Sequence, residues 1–313
     1  MTVQKLKNEI EKSRSVLVTA HRNPDADAVS SLAFVLALLQ KKGKVLYYHL
    51  AGEINLKWKN IVSGLPGKPY EGEDVDISIC LDSTSPERFG EGIIKGVIIN
   101  IDHHVSNRQY GDINHVMPDM SSTAEIVYYL FKDEIGLFDD FMKEMILLGI
   151  LGDTGFLKFD NATESTFQVV SALMSSVPLF NIYQKYYQVL TMEHFEYFSF
   201  LISKMKKGQD GIYYISLDFE ELEDSSLNYD EISELFAWFR PLKDAEVLLF
   251  FREFQKGTFR INFRGNNNID LNKIARLYGG GGHRNAAAAS IEGDLDDILP
   301  DVFQSISDGM KDE

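Results

Sequence analysis

Up to about residue 180, short apolar runs of strand length alternate with longer runs of helical period. The runs "SVLVTA", "KVLYYHL", "DISICLD" and "GVIINID" read as strands, "SSLAFVLALLQKKG" reads as a helix, and further helices start near Ser122, Asp139 and Thr163. Such alternation predicts an α/β fold, a parallel sheet with helices on both faces. From about residue 192 the pattern changes to a helix "EHFEYFSFLISKMKKG", strands "GIYYISLDF", "EVLLFFREF" and "TFRINFRG", a helix "DLNKIARLYG" and a loop "GGGGH". An amphipathic helix follows Glu292. The expected division is 1–185 for the first domain and 192–313 for a smaller α+β domain.

With 313 residues and 44% apolar content the chain can bury cores in two domains. The stretch "MTVQKLKNEIEKSRS" lacks a signal-peptide apolar core, and no run approaches the roughly 18 apolar residues of a membrane helix, so a cytoplasmic protein with no membrane partner is expected. The lone cysteine, Cys80, reads as a buried strand thiol, and no disulfide can form. A net charge of -16 opposes binding of long nucleic acids. Between Arg252 and Arg284, however, seven basic residues stand against Glu253 and Asp270, which is either a solvated face or a site for a small anion. His49, His115 and His194 read as packing residues.

Four segments carry metal-ligating side chains: "HRNPDAD" with His21, Asp25 and Asp27, "CLDST" with Asp82, "NIDHHVSN" with Asp102, His103 and His104, and "GILGDTGF" with Asp153. Singly, Asp27 could cap the helix after it, Asp82 could begin a turn, and Asp153 could end the helix "MILLGILG". Together they follow apolar runs that lead to one edge of one sheet, where open parallel sheets bind ligands. Aspartates gathered in one cleft repel, and two divalent cations would neutralise them. Carboxylate and imidazole donors suit manganese or a similar hard to borderline ion. Two such ions activate water and clamp phosphate oxygens, so phosphoryl hydrolysis is the expected chemistry.

In this order and strand context, "HRNPDAD", "CLD", "IDHH" and "GDTGF" resemble the DHH phosphoesterase superfamily, along nearly the whole chain. "NFRG" followed by "YGGGGHRNAAAAS" is similar to the DHH-associated domain of the branch containing nano-RNases, pAp phosphatases and dinucleotide phosphodiesterases, and "SSTAEIVY" fits that branch. The resemblance implies an active site in the cleft between the two domains. It implies that His21, Asp25 and Asp82 hold one metal, and that Asp27, Asp82, His103 and Asp153 hold the second, with Asp82 as the bridge. Asp102 would orient an imidazole, and His104 would face the substrate phosphate. Arg264, Gly281, Gly282 and His283 would grip the far phosphate or nucleotide.

The implied substrates are pAp, dinucleotides and very short RNA, with cyclic dinucleotides as an alternative, and a homodimer stays open. Ala26, Ser30 and Ala288 stand where the branch often has glycine, which leaves the shape of the pocket open. An inorganic pyrophosphatase shares the cluster but not the "GGGGH" domain, a RecJ-like exonuclease sits poorly with the acidic composition, and a nucleotide sensor would not need every ligand.

Overall fold

The structure, a computed structural model, describes residues 2–265 and 269–311, without the side chains of Asp230 and His283. The chain forms two compact units, Met1–Val189 and Leu190–Glu313.

In the first unit β1 (Ser15–Ala20), β2 (Val45–Leu50), β3 (Lys68–Pro69), β4 (Ile77–Leu81), β5 (Val97–Asp102) and β6 (Ile113–Val116) build one sheet of order β3-β2-β1-β4-β5-β6. Every pairing is parallel. The chain runs outward from β1 to β3, then returns to lay β4 on the other side of β1. The strand order reverses between β1 and β4, which opens a crevice at their carboxyl ends. The helices are α1 (Thr2–Lys12), α2 (Ala26–Lys41), α3 (Lys59–Ser63), α4 (Thr123–Phe131), α5 (Asp140–Asp153), α6 (Glu164–Leu173) and α7 (Leu179–Tyr186).

Helix α2 is buried from Ala26 to Leu39 and packs on α4 and α5. Glycines on α5 permit this approach: a Cβ on Gly149 would lie 2.5 Å from Ala124 Cβ and 2.6 Å from Ser30 Oγ, and one on Gly152 would lie 2.6 Å from Ala26 Cβ. Ala26 and Ser30 are therefore accommodated by glycines on the facing helix. Ser122 and Asp139 cap α4 and α5 by accepting from Glu125 N and Met142 N, and Thr163 forms a capping box with Thr166.

The second unit contains β7 (Lys206–Lys207), β8 (Ile212–Leu217), β9 (Val247–Gln255), β10 (Thr258–Gly265), β11 (Gly281–His283) and β12 (Ala286–Glu292), ordered β11-β12-β10-β9-β8-β7. Among the described residues of this sheet, β8 and β9 alone pair in parallel. Its helices are α8 (Met192–Lys204), α9 (Phe219–Glu223), α10 (Tyr229–Ala237), α11 (Leu271–Leu277) and α12 (Leu295–Lys311). Alternation along β9 feeds two cores: Leu249 and Phe251 join Ile274 and Val302, whereas Leu248 and Phe250 join Leu201 and Phe236.

The expected loop "GGGGH" is corrected here, because Gly281–His283 is a strand paired with β12. Its glycines let two backbones close up, since a Cβ on Gly280 would lie 2.2 Å from Ala288 O and one on Gly282 2.4 Å from Ala286 O. No described helix is long and apolar enough to cross a membrane.

Candidate metal centre

Strand register brings the candidate ligands together. Ala20 pairs with Leu81 and Leu81 with Ile101, so His21, Asp82 and Asp102, each one residue further on, emerge side by side at the crevice. Asp82 is 2% exposed and takes a left-handed backbone, φ +53°, which an Asp tolerates better than most residues. Its Oδ2 lies 3.4 Å from His21 Nε2, and its Oδ1 lies 3.6 Å from both His103 Nε2 and His104 Nδ1. Thr123 Oγ1 donates to the same Oδ1 at 3.1 Å.

The two acidic residues of the first motif divide their work differently from the sequence expectation. Asp25, not Asp27, caps α2 by accepting from Ala28 N at 3.1 Å, because the helix begins one residue after it. Its side chain remains 58% exposed, with Oδ2 at 3.8 Å from His21 Nε2. Asp27 lies in the first turn, fully buried, and faces the amino terminus of α4. Thr123 N donates to its Oδ2 at 2.7 Å and Ala124 N to its Oδ1 at 2.8 Å, with Ser31 Oγ at 3.2 Å. Those N–H groups have no partner within their own helix and carry its positive end, so they favour a carboxylate. Asp153 is the last residue of α5, and its Oδ2 sits 3.2 Å from His103 Nε2.

Hydrogen bonding orients the rings. His21 Nδ1 faces the Arg22 carbonyl at 2.9 Å, which requires the hydrogen on Nδ1 and leaves Nε2 for the carboxylates. His104 Nδ1 faces Asp102 Oδ1 at 2.6 Å. Burial opposes charge on His21, but hydrogen bonds and the charges of Asp25 and Asp82 outweigh it and push the imidazole up to about 10. Burial likewise opposes charge on His103, and Asp153 chiefly overcomes it, raising that ring well above its usual value. Burial, then the charges of Asp82 and Asp153, drive the Asp27 carboxyl well above the carboxylate range. Asp82 is held low despite burial, by His21 first and then His104 and His103.

Among the described residues, three sets place one donor atom per residue within 4.8 Å of one another: His21 with Asp25 and Asp82, Asp27 with His103 and Asp153, and Asp82 with His103 and His104. Asp82 and His103 each belong to two sets, so the sets form one continuous cluster. Its donors are all carboxylate oxygen and imidazole nitrogen, which fits hard to borderline divalent cations. In the third set His104 Nδ1 is already engaged with Asp102.

In the second unit Arg264 lies on β10, half-buried, and Nη1 donates to Phe263 O at 3.0 Å. Burial and the charge of Arg240 lower its pKa. Gly281 and Gly282 lie in β11, with Gly282 N donating to Asn272 Oδ1 at 3.2 Å, while the His283 side chain lies outside the described residues. Arg252 is not part of a solvated face: it is 2% exposed, its guanidinium sits 3.3 Å from the Tyr229 ring centroid, and it donates to Asn262 at 3.2 Å. His49 Nε2 donates to Phe89 O at 3.0 Å, His194 belongs to the capping box of α8, and burial lowers the pKa of His115.

The residue that sequence reasoning misses is Thr123, which touches both Asp27 and Asp82. The signal available is the capping pattern of Ser122 and Glu125, which announces a helix start with N–H groups open to an anion.

Residues 15–150 match the DHH family, N-terminal domain, and residues 210–308 match the DHHA1 domain. The chain is 27% identical over 302 residues to a Bacillus subtilis (strain 168) protein named bifunctional oligoribonuclease and PAP phosphatase NrnA, across 92% of this chain and 93% of that one. A Thermus thermophilus protein of the same name is 26% identical over 307 residues, across 94% of this chain and 90% of that one. The crystal structure of an exopolyphosphatase-related protein from Bacteroides fragilis superposes with a TM-score of 0.89 at 21% identity, covering 98% of this chain and 96% of that one, and so shares the fold.

Proposed function

The chain belongs to the DHH family, and from that premise we propose a manganese-dependent cytoplasmic phosphoesterase that hydrolyses very short oligoribonucleotides, dinucleotides or pAp. The observation that carries this reading is the continuous cluster in which Asp82 and His103 are shared between candidate ligand sets. The names of the Bacillus and Thermus relatives support the substrate class.

In this reading His21, Asp25 and Asp82 hold one cation, and Asp27, Asp82, His103 and Asp153 hold the other. Bound there, divalent cations supply charge neutralisation for a phosphate and a water of lowered pKa. The chain's own residues do the rest. The α4 amino terminus fixes the Asp27 carboxylate, and Thr123 Oγ1 steadies Asp82. His104, held through Nδ1 by Asp102, offers Nε2 to the substrate phosphate as a hydrogen-bond donor or to the leaving oxygen as an acid. Arg264 and His283, with the backbone of Gly281 and Gly282, bind the substrate's remaining anionic or nucleotide part.

A substrate panel tests the reading. The manganese-loaded protein should turn over pAp, linear dinucleotides and RNA of a few residues, and rates should fall as RNA lengthens. Turnover confined to pyrophosphate or to cyclic dinucleotides, rates that stay level on long strands, or binding without product would each overturn it.

A further inference from the structure

Asp102 is wholly buried, and both its oxygens are engaged. Oδ1 accepts from His103 N at 2.8 Å, His104 N at 3.2 Å and His104 Nδ1 at 2.6 Å, while Oδ2 accepts from Asn107 Nδ2 at 2.6 Å. Asn107 is itself one rung of a ladder of side-chain amides. Its Oδ1 accepts from Gln109 N at 2.6 Å and from Asn100 Nδ2 at 2.9 Å, and Asn100 Nδ2 continues to Asn114 Oδ1 at 3.1 Å. Asn114 is closed over Gly111, accepting from Gly111 N at 3.0 Å and donating to Gly111 O at 2.7 Å. Gln109 N and Gly111 N can only donate, so they fix which end of Asn107 and Asn114 is oxygen. The donor end of Asn107 is thereby left to face Ser83 O at 2.9 Å and the Asp102 carboxylate.

We infer that Asn107 is a positioning residue for His104, acting through Asp102, and that Asn100 and Asn114 brace it from β5 and β6. The inference rests on the role given to His104 in the proposed function. A neutral amide suits this role because it clamps Oδ2 so that Oδ1 meets the ring, yet leaves the full negative charge to the imidazole. Holding the hydrogen on Nδ1 leaves Nε2 as the ring nitrogen for substrate. The loop backbone has separate anchors in Asn107 N to His104 O at 3.1 Å and Arg108 N to Thr84 O at 2.9 Å, so the side chain is not its only support.

The test is a cycle of wild type, Asn107→Ala, His104→Ala and the double variant, assayed with the RNA dinucleotide pApA and manganese, with bound manganese and thermal unfolding measured on each. Asn107→Ala should lower kcat about 10- to 100-fold, the usual effect of removing a group that orients an imidazole in such a centre, with KM and bound manganese little changed. In the His104→Ala background it should cost nothing further, because the residue it positions is gone. Asn107→Asp, of nearly equal volume, replaces the donor by a second carboxylate and should be at least as slow. Multiplicative losses in the double variant, or a native rate in Asn107→Ala, would overturn the inference while leaving the His104 role intact. A native rate in His104→Ala would remove that role and the inference together. Loss of folded protein in both Asn107 variants would make the ladder structural, which also overturns it.

Discussion

The two units bury charge in opposite ways. At the carboxyl edge of the first sheet, Asp27, Asp82 and Asp102 are sealed from solvent and share three imidazoles, in a cluster delivered by strand ends and helix ends. In the second unit the buried charge is cationic: Arg252 on β9 is buried and stacks on Tyr229, while the half-buried Arg264 on β10 lies near the charge of Arg240. Anionic donors converging on a point suit small cations, whereas a half-buried guanidinium such as that of Arg264 suits a single anionic group. The difference teaches that a parallel sheet, all of whose strands end on one side, concentrates ligands, while a mostly antiparallel sheet distributes them.

The largest expected effect falls on the concentrated site. Asp82→Asn should almost abolish turnover and lower metal content while leaving the fold intact, because the carboxylate serves two donor sets and its amide cannot. Near-native turnover with full metal content would remove Asp82 from the centre of the comparison. Manganese binding is the next largest. At a free concentration about 100 times Kd it should stabilise the protein by about 2.7 kcal/mol, seen as a higher Tm that chelator reverses.

That binding has a definite pH dependence. The apo His21 ring, at about 10, carries a proton at neutral pH that a metal must displace from Nε2. Affinity should therefore weaken as pH falls, and calorimetry in buffers of differing ionisation enthalpy should register proton release. Proton-independent binding would contradict ligation by His21.

In the second unit, Arg264→Ala should chiefly raise KM for dinucleotides or pAp, by a loss on the order of 1.5 to 3 kcal/mol for a charged hydrogen bond. Hydrolysis of p-nitrophenyl phosphate should be about the same in both proteins. A fall in kcat with KM unchanged would move Arg264 out of the anion-binding group. The smallest effect is expected for Thr123→Val, which removes one hydroxyl from Asp82 and should cost about 1 kcal/mol in stability or in metal affinity, measured by unfolding and titration.

Much of this is legible in the chain. The strands around "SVLVTA" and "DISICLD", the caps at Ser122, Asp139 and Thr163, and the four ligand-bearing segments each carry a local signal of apolar runs, cap residues or clustered acids. Strand β6, "INHV", is not legible, because two of its four residues are polar and it is held by pairing with β5. The strand character of Gly281–His283 is hidden for the same reason, since glycine has no β propensity and the partner Ala286–Ala288 supplies the order.

By itself, then, the sequence determined which side chains could ligate and that they end apolar runs, because local burial and capping preferences act over a few residues. Tertiary structure alone decided that Asp25 caps α2 while Asp27 faces the α4 amino terminus, and that Thr123 bridges two aspartates. It also decided that Asn107 closes on Asp102 and that Arg252 is buried. Such contacts depend on register, helix approach and hydrogen-bond direction, which are fixed when distant segments pack and leave no mark on the residues nearby.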